Sequence, residues 1–369
     1  MPPRALKHDR WELAQAKAFV SEPPLNTHTA ATNTWPILQG SKEQILRQHP
    51  DPLRALHEGD VAAVVLRSRL APTDAAALVR ILRKSIKSPD LSPLPPSRGG
   101  RKGNAIPQSR WKARGTSLHT LGADLHYSLK HQANFPTAAE HAAYAQGYTQ
   151  LVESLGLGAA VRALHGGLRD ISAGRRVGTA VDPRTNTSYS HGVFRMHHPG
   201  NTFPLHVDSL WAAGWNARTC GTGGLYQRNA TRRILARATE GNRIADLAAD
   251  PLRFRYQFSA LLLLQPPRPT TASAGPAPDV TLFDPHIEDI VKDCELSGLS
   301  HSVGVHVKGF DKSRRFNTAR MHNLSLEAGD LYVFNSNRLH AVPPVLGQRD
   351  RIALGTFLGY SSRELLVWA

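Results

Sequence analysis

Residues 326–358 read LEAGD LYVFNSNRLH AVPPVLGQRD RIALGTFL. Leu326 to Asp330 carries the Gly-Asp pair of a turn. Leu331-Tyr332-Val333-Phe334 behind it is an apolar run of strand length. Asn335 to Leu339 lead to a single histidine, His340, and Ala341 to Val345 lead away from it. Eleven residues past His340 stands Arg351, at the head of a second apolar run, Ile352 to Leu358. A guanidinium there could hold one end of a dicarboxylate through a two-pronged, charge-assisted contact. Arg349 lies two residues away, on the same side of an extended strand, and is the rival for that role. Asp350 points the other way.

Working outward, the imidazole of His340 needs partners before it can hold a metal. A non-haem iron(II) site takes two imidazoles and one carboxylate on one face and leaves the opposite face open. His-x-Asp on a strand suits it, because residues i and i+2 point to the same side. The motif alone is close to chance: with 18 His and 18 Asp in 369 residues, about one is expected. The chain has two, His49-Pro50-Asp51 and His206-Val207-Asp208, besides a His286-Ile287-Glu288. Proline in the middle makes the first read as a turn. The third follows Asp284-Pro285 in a run of acids and reads as a helix start. His206-Val207-Asp208 follows a strand, Phe194 to His198, a Pro-Gly turn and a second apolar entry, and so fits the mouth of a barrel. The set selected is His206, Asp208 and His340. His306 is the fallback third ligand, while His301 and His322 read as polar or strand-edge residues. His197 and His198 read as supporting the site or the surface.

On these residues the chain resembles the 2-oxoglutarate/Fe(II) dioxygenase superfamily, most strongly from Leu326 to Phe357 and in the manner of its small-molecule hydroxylases. The resemblance implies that His206, Asp208 and His340 bind iron and that Arg351 pairs with the distal carboxylate of 2-oxoglutarate, with Arg349 as alternative. It implies Fe(II), 2-oxoglutarate as cosubstrate and dioxygen. It also implies an α+β fold, a double-stranded β-helix (jelly-roll) core with flanking N-terminal helices. Gly59 to Leu82 resembles the strand and helix that open many such domains. In the implied reaction 2-oxoglutarate is decarboxylated to succinate and an unactivated C–H bond is oxidised, by hydroxylation, desaturation or oxidative ring closure. Related halogenases carry a small residue at the position of Asp208, so a carboxylate there disfavours halogenation.

The rest of the chain divides into an N-terminal arm, 1–58, and an oxygenase domain, 59–369, with a helical part at 59–190 and the jelly-roll core at 191–369. Residues 1–45 show no periodicity and read as irregular. Val61 to Leu66 reads as a strand, and Asp74 to Lys84, Thr137 to Leu155 and Leu157 to Ile171 as helices. Ser88 to Gly115 reads as a long loop, whose basic part, Arg98 to Arg114, could be a lid. Arg195, on the strand before the metal pair, is a candidate substrate contact, with an ordinary ion pair as the alternative. Trp211, Trp215, Asn216 and Arg218 directly after the pair are further candidates, the tryptophans otherwise being core. The arginines favour a small carboxylate such as an amino acid.

Composition excludes some classes. Two cysteines far apart, Cys220 and Cys294, fit neither a disulfide framework nor a zinc-thiolate site. The start has no apolar segment of signal-peptide type, and the longest aliphatic run, Ala260 to Leu264, is too short to cross a bilayer, so a cytoplasmic protein is expected. A net charge of +16 raises nucleic acid as a partner. The charge is spread along the chain, so a solvated basic surface is preferred. Three rivals remain: a nucleic-acid dioxygenase of the alkylation-repair kind, a non-catalytic jelly-roll binding protein and a JmjC-type protein hydroxylase.

Overall fold

A computed structural model describes residues 35–91, 111–114, 118–122, 138–182, 187–208, 257–267, 278–286 and 319–369. The first part runs β1 (Leu38–Gly40), α1 (Lys42–Gln48), α2 (Pro52–Glu58), β2 (Val64–Leu66), α3 (Pro72–Ile86), β3 (Lys112–Arg114), β4 (Leu118–Leu121), α4 (Ala138–Ser154) and α5 (Gly158–Asp170). Then follow β5 (Arg176–Thr179), β6 (Val181–Asp182), β7 (Thr187–Ser188), β8 (Val193–His197), β9 (Phe203–His206), β10 (Gln257–Gln265), β11 (Val280–His286), β12 (Met321–Leu324), β13 (Leu331–Asn335), β14 (Arg338–Val342), β15 (Arg351–Tyr360) and β16 (Glu364–Trp368).

Local chemistry sets the helix boundaries. Ser41 and Gln44 form a reciprocal capping box at the head of α1, satisfying two amide donors that a helix start leaves open. Asp51 caps α2 by accepting the Arg54 amide, Pro52 takes the first helical position, and Gly59 ends the helix in the left-handed region. The His49-Pro50-Asp51 motif is therefore a turn and a cap. The expectation of an irregular 1–45 is not met at its end. Leu38–Gly40 pairs in parallel with Val64–Leu66, and α1 begins at Lys42. The stretch 59–190 likewise contributes strands as well as helices.

Eight strands make a double-stranded β-helix. One sheet contains β8-β15-β10-β13 as neighbours and the other is β12-β11-β14-β9. Successive strands from β8 to β15 switch between the two sheets at every step except the β11–β12 hairpin, the winding of a jelly roll. β1 and β2 extend the first sheet beyond β13, and β4 and β3 extend it beyond β8. Its strands are buried on both faces. Phe194, Met196, Phe258, Leu262, Leu331, Val333, Ile352 and Leu354 join α3 and α5 residues such as Leu78, Leu82, Leu164 and Leu168 in one apolar cluster. Leu263, Tyr332, Phe334 and Ala353 join Val280, Leu282 and Leu324 of the second sheet in another. Each buried Leu, Val or Phe contributes roughly 1.5–3 kcal/mol. Burial on both faces explains why these strands read as continuous apolar runs and not as alternating ones.

The turn before β13 is built on Gly329 and Asp330. Gly329 has φ +95, and a Cβ there would lie 1.9 Å from the Leu70 carbonyl oxygen, so only glycine fits. The buried Asp330 carboxylate accepts the amides of Ser68 (3.0 Å) and Glu327 (2.9 Å) and pairs with Arg67 at 2.5 Å. The turn thereby fastens the loop between β2 and α3 to the barrel.

Candidate metal and 2-oxoglutarate site

His206 ends β9 and stands directly opposite His340 on β14 in the strand register. Asp208 follows two residues later, its amide donating to the Ser336 carbonyl at 2.9 Å. One ligand atom from each of the three lies within 4.8 Å of the others. The nearest Asp208 oxygen is 3.9 Å from His206 Nε2 and 3.6 Å from His340 Nε2. An ion about 2 Å from each donor fits within those separations. His340 Nδ1 lies 3.0 Å from the Arg338 carbonyl oxygen, which can only accept. Nδ1 therefore carries the proton, and Nε2 presents its lone pair to Asp208 and His206. Both imidazoles are buried, while Asp208 is partly open. The residues present suit an iron(II) ion.

Arg351 heads β15 and is 2% exposed, which is rare for arginine and argues for a dedicated role. Its Nη2 donates to Tyr332 Oη at 2.9 Å. Tyr332 stacks on Phe334 (centroids 6.0 Å apart), and Phe334 meets the His340 ring edge-on at 4.8 Å. An unbroken line of contacts inside the barrel thus joins His340 to the guanidinium. His197 pairs with Arg351 in register. Burial, reinforced by the Arg351 charge, pushes the His197 imidazole down to about 3. It is neutral at physiological pH, with Nδ1 2.6 Å from Asn201 Oδ1. Arg195, two residues earlier on β8, alternates with the outward Phe194 and Met196 and so turns inward. A Cβ on Gly355 would be 3.6 Å from its Nη1.

The structure brings His206, Asp208 and His340 together and places Arg351 and Arg195 in the same interior. Arg349 lies in the bend ahead of β15. The expectation that it shares the strand face of Arg351 is therefore not met. Asp350 does point away from the interior, pairing with Arg83 and His198. His198 belongs to that outer network and His322 bonds the Trp35 carbonyl from the edge strand β12, as polar and strand-edge residues do. Trp211, Trp215, Asn216, Arg218, His301, His306, Glu288 and most of the 98–114 segment lie outside the described residues. Tyr332, reading in the sequence as mere core, is a hydrogen-bond partner of Arg351. Its only signal is that it shares the inward parity of β13 with Phe334.

Residues 289–369 match the family model described as carrier-protein-independent halogenase WelO5, a stretch that includes His340 and Arg351. No curated protein matches the chain. Among solved structures, the chain is similar to an N-substituted L-amino acid dioxygenase from Burkholderia ambifaria AMMD in complex with alpha-KG. That likeness has 12% identity, a TM-score of 0.45 and coverage of 86% of this chain and 90% of that one. The alpha-ketoglutarate-dependent epimerase SnoN from nogalamycin biosynthesis aligns at 8% identity and TM-score 0.39, over 81% of each chain. HygX from Streptomyces hygroscopicus, with nickel and 2-oxoglutarate bound, aligns at 11% identity and TM-score 0.33, over 82% of this chain and 85% of that one. Among the described residues no helix is long and apolar enough to cross a membrane.

Proposed function

We propose that the chain oxidises a C–H bond of a small carboxylate-bearing molecule, an amino acid or a related acid, by hydroxylation, desaturation or oxidative ring closure. The observation that carries the reading is the His206, Asp208 and His340 triad joined through Phe334 and Tyr332 to a buried Arg351. Iron(II) bound there supplies dioxygen activation coupled to conversion of 2-oxoglutarate to succinate and carbon dioxide. Arg351 holds the distal carboxylate of 2-oxoglutarate, and its buried setting strengthens that charge-assisted contact. Arg195 offers a second inward guanidinium to the substrate's own carboxylate. The neutral His197 between these arginines adds a polar wall without a third positive charge.

The matched family is one of halogenases by description, but the match covers residues 289–369 and stops short of the Asp208 position. In this chain a carboxylate occupies that place, so oxygenation and not halogenation is the outcome proposed. The test is aerobic succinate release from 2-oxoglutarate with added Fe(II), over a panel of free amino acids. At least one amino acid should stimulate release, and His206→Ala and Asp208→Ala should each abolish it. The product should gain one oxygen or lose two hydrogens, and should carry no chlorine in excess chloride. Purified protein without iron, and no succinate release with any amino acid, would sink the reading. The +16 charge keeps nucleic acid as a second reading. Tight, salt-sensitive gel shifts of single-stranded DNA or RNA would favour it.

A further inference from the structure

Arg351 does not stand alone. Asp279, immediately before β11, is 1% exposed, and its Oδ1 lies 3.5 Å from Arg351 Nε. Among the described residues neither atom has a hydrogen-bond partner. The carboxylate is itself fixed: Oδ2 accepts the Leu326 amide at 3.0 Å, and the Asp279 amide donates to the Leu324 carbonyl at 2.8 Å. On the other side of the guanidinium, Nη2 is held by Tyr332 Oη. The cation is therefore gripped from both sheets, by Asp279 of the second and Tyr332 of the first. Among the described residues Nη1 makes no hydrogen bond.

We propose that Asp279, with Tyr332 opposite it, is a positioning residue that aims the free edge of the Arg351 guanidinium at the distal carboxylate of 2-oxoglutarate. This rests on the reading of Arg351 as the anchor for that carboxylate. A buried guanidinium without a counter-charge is strongly disfavoured, and Asp279 is the carboxylate that pairs with it among the described residues. Asp330, the next acid, is occupied by Arg67 and two amides. Burial raises the Asp279 carboxyl to about 6 while Arg351 pulls it back down, so it is ionised at neutral pH. The separation of 3.5 Å is longer than a charge-assisted hydrogen bond, about 2.7–2.9 Å. The Nε edge is thus steered by charge while Tyr332 fixes the angle. In Asp279→Asn an amide can still accept from Leu326, but it turns an N–H toward Arg351 Nε, and the two donors repel.

The experiment is calorimetric titration of iron(II)-loaded protein, held without dioxygen, with 2-oxoglutarate and separately with pyruvate, which lacks the distal carboxylate. Asp279→Asn should weaken 2-oxoglutarate binding by about tenfold, the change in affinity carried by about 1.4 kcal/mol, and leave pyruvate binding unchanged. Tyr332→Phe, which keeps the ring and its stacking, should show the same selective loss at about threefold and serves if the Asp279 variant does not fold. General disruption would weaken both acids together and would overturn the proposal, as would unchanged or tighter 2-oxoglutarate binding in both variants. Arg351→Gln separates the two levels. If it leaves 2-oxoglutarate binding intact, the anchor assignment itself has failed. If it abolishes the preference over pyruvate while Asp279→Asn and Tyr332→Phe leave that preference at its wild-type size, only the positioning role has failed.

Discussion

Gly329 fixes the turn that precedes β13, one strand ahead of His340 on β14, and its environment gives a sharp expectation. An added methyl meets the Leu70 carbonyl at 1.9 Å while the backbone is held at φ +95. Gly329→Ala should destabilise the fold by about 3 kcal/mol or more, read as a lowered urea midpoint at unchanged slope. A loss below about 0.5 kcal/mol would show that the turn relaxes. At this scale the sequence is legible where a residue's role depends on near neighbours in the chain. Gly329, Asp330, His340 and Arg351 fall within one short segment, so their order alone points to the site. Asp279 and Tyr332 meet Arg351 only through the pairing of β13, β10 and β15 and the closure of the second sheet. Nothing within its own segment marks Asp279, and Tyr332 is marked only by sharing the parity of Phe334. Arg349 shows the converse: strand parity extrapolated one turn too far, because the chain bends before β15.

The α2 cap joins two elements far apart in the chain. Asp51 caps the helix and also takes a bidentate contact from Arg175, at 2.8 and 2.7 Å. Arg175 in turn bonds the Ser361 carbonyl and Tyr360 Oη, tying α2 to the end of β15. Asp51→Ala should cost about 2–3 kcal/mol, combining a lost cap with a half-buried guanidinium deprived of its carboxylate. Asp51→Ser, which keeps a capping oxygen, should recover about 1 kcal/mol of it. Chemical denaturation of the two variants checks both numbers, and equal losses would deny the cap any share. Elements buried on both faces, such as β10 and β15, were plain from their apolar runs, and α3 and α5 from their spacing. β1 was not. Leu38-Gln39-Gly40 has no strand pattern, and it is extended because its partner Val64–Leu66 is already the rim of a sheet.

Over the whole molecule, buried imidazoles set the response to acid. Burial lowers His165 to about 4, helped by His191 and Arg169, and lowers His197 to about 3. His191 is lowered by burial as well. A histidine whose folded value lies below its unfolded one, about 6.5, binds its proton more readily in the unfolded chain. Its stabilising share is whole above about pH 6.5 and is lost as pH falls toward the folded value. Asp279, raised to about 6, acts the other way between its ordinary value and that one, but it is one group against three. The urea midpoint should therefore fall between pH 6.5 and 4, and His165→Gln should flatten the slope. A flat wild-type profile would contradict this account.

Among the described residues the main path of the ten-stranded sheet ends on β1 at one margin and β3 at the other, each three residues long, and a branch through β16 ends on the four-residue β5. β3 reads Lys-Ala-Arg. Short margins, the β3 one charged, offer few open amides and carbonyls for a foreign strand to zip onto. A protein whose largest sheet finishes this way is guarded against edge-to-edge polymerisation, even though its barrel strands are as apolar as those of a fibril core.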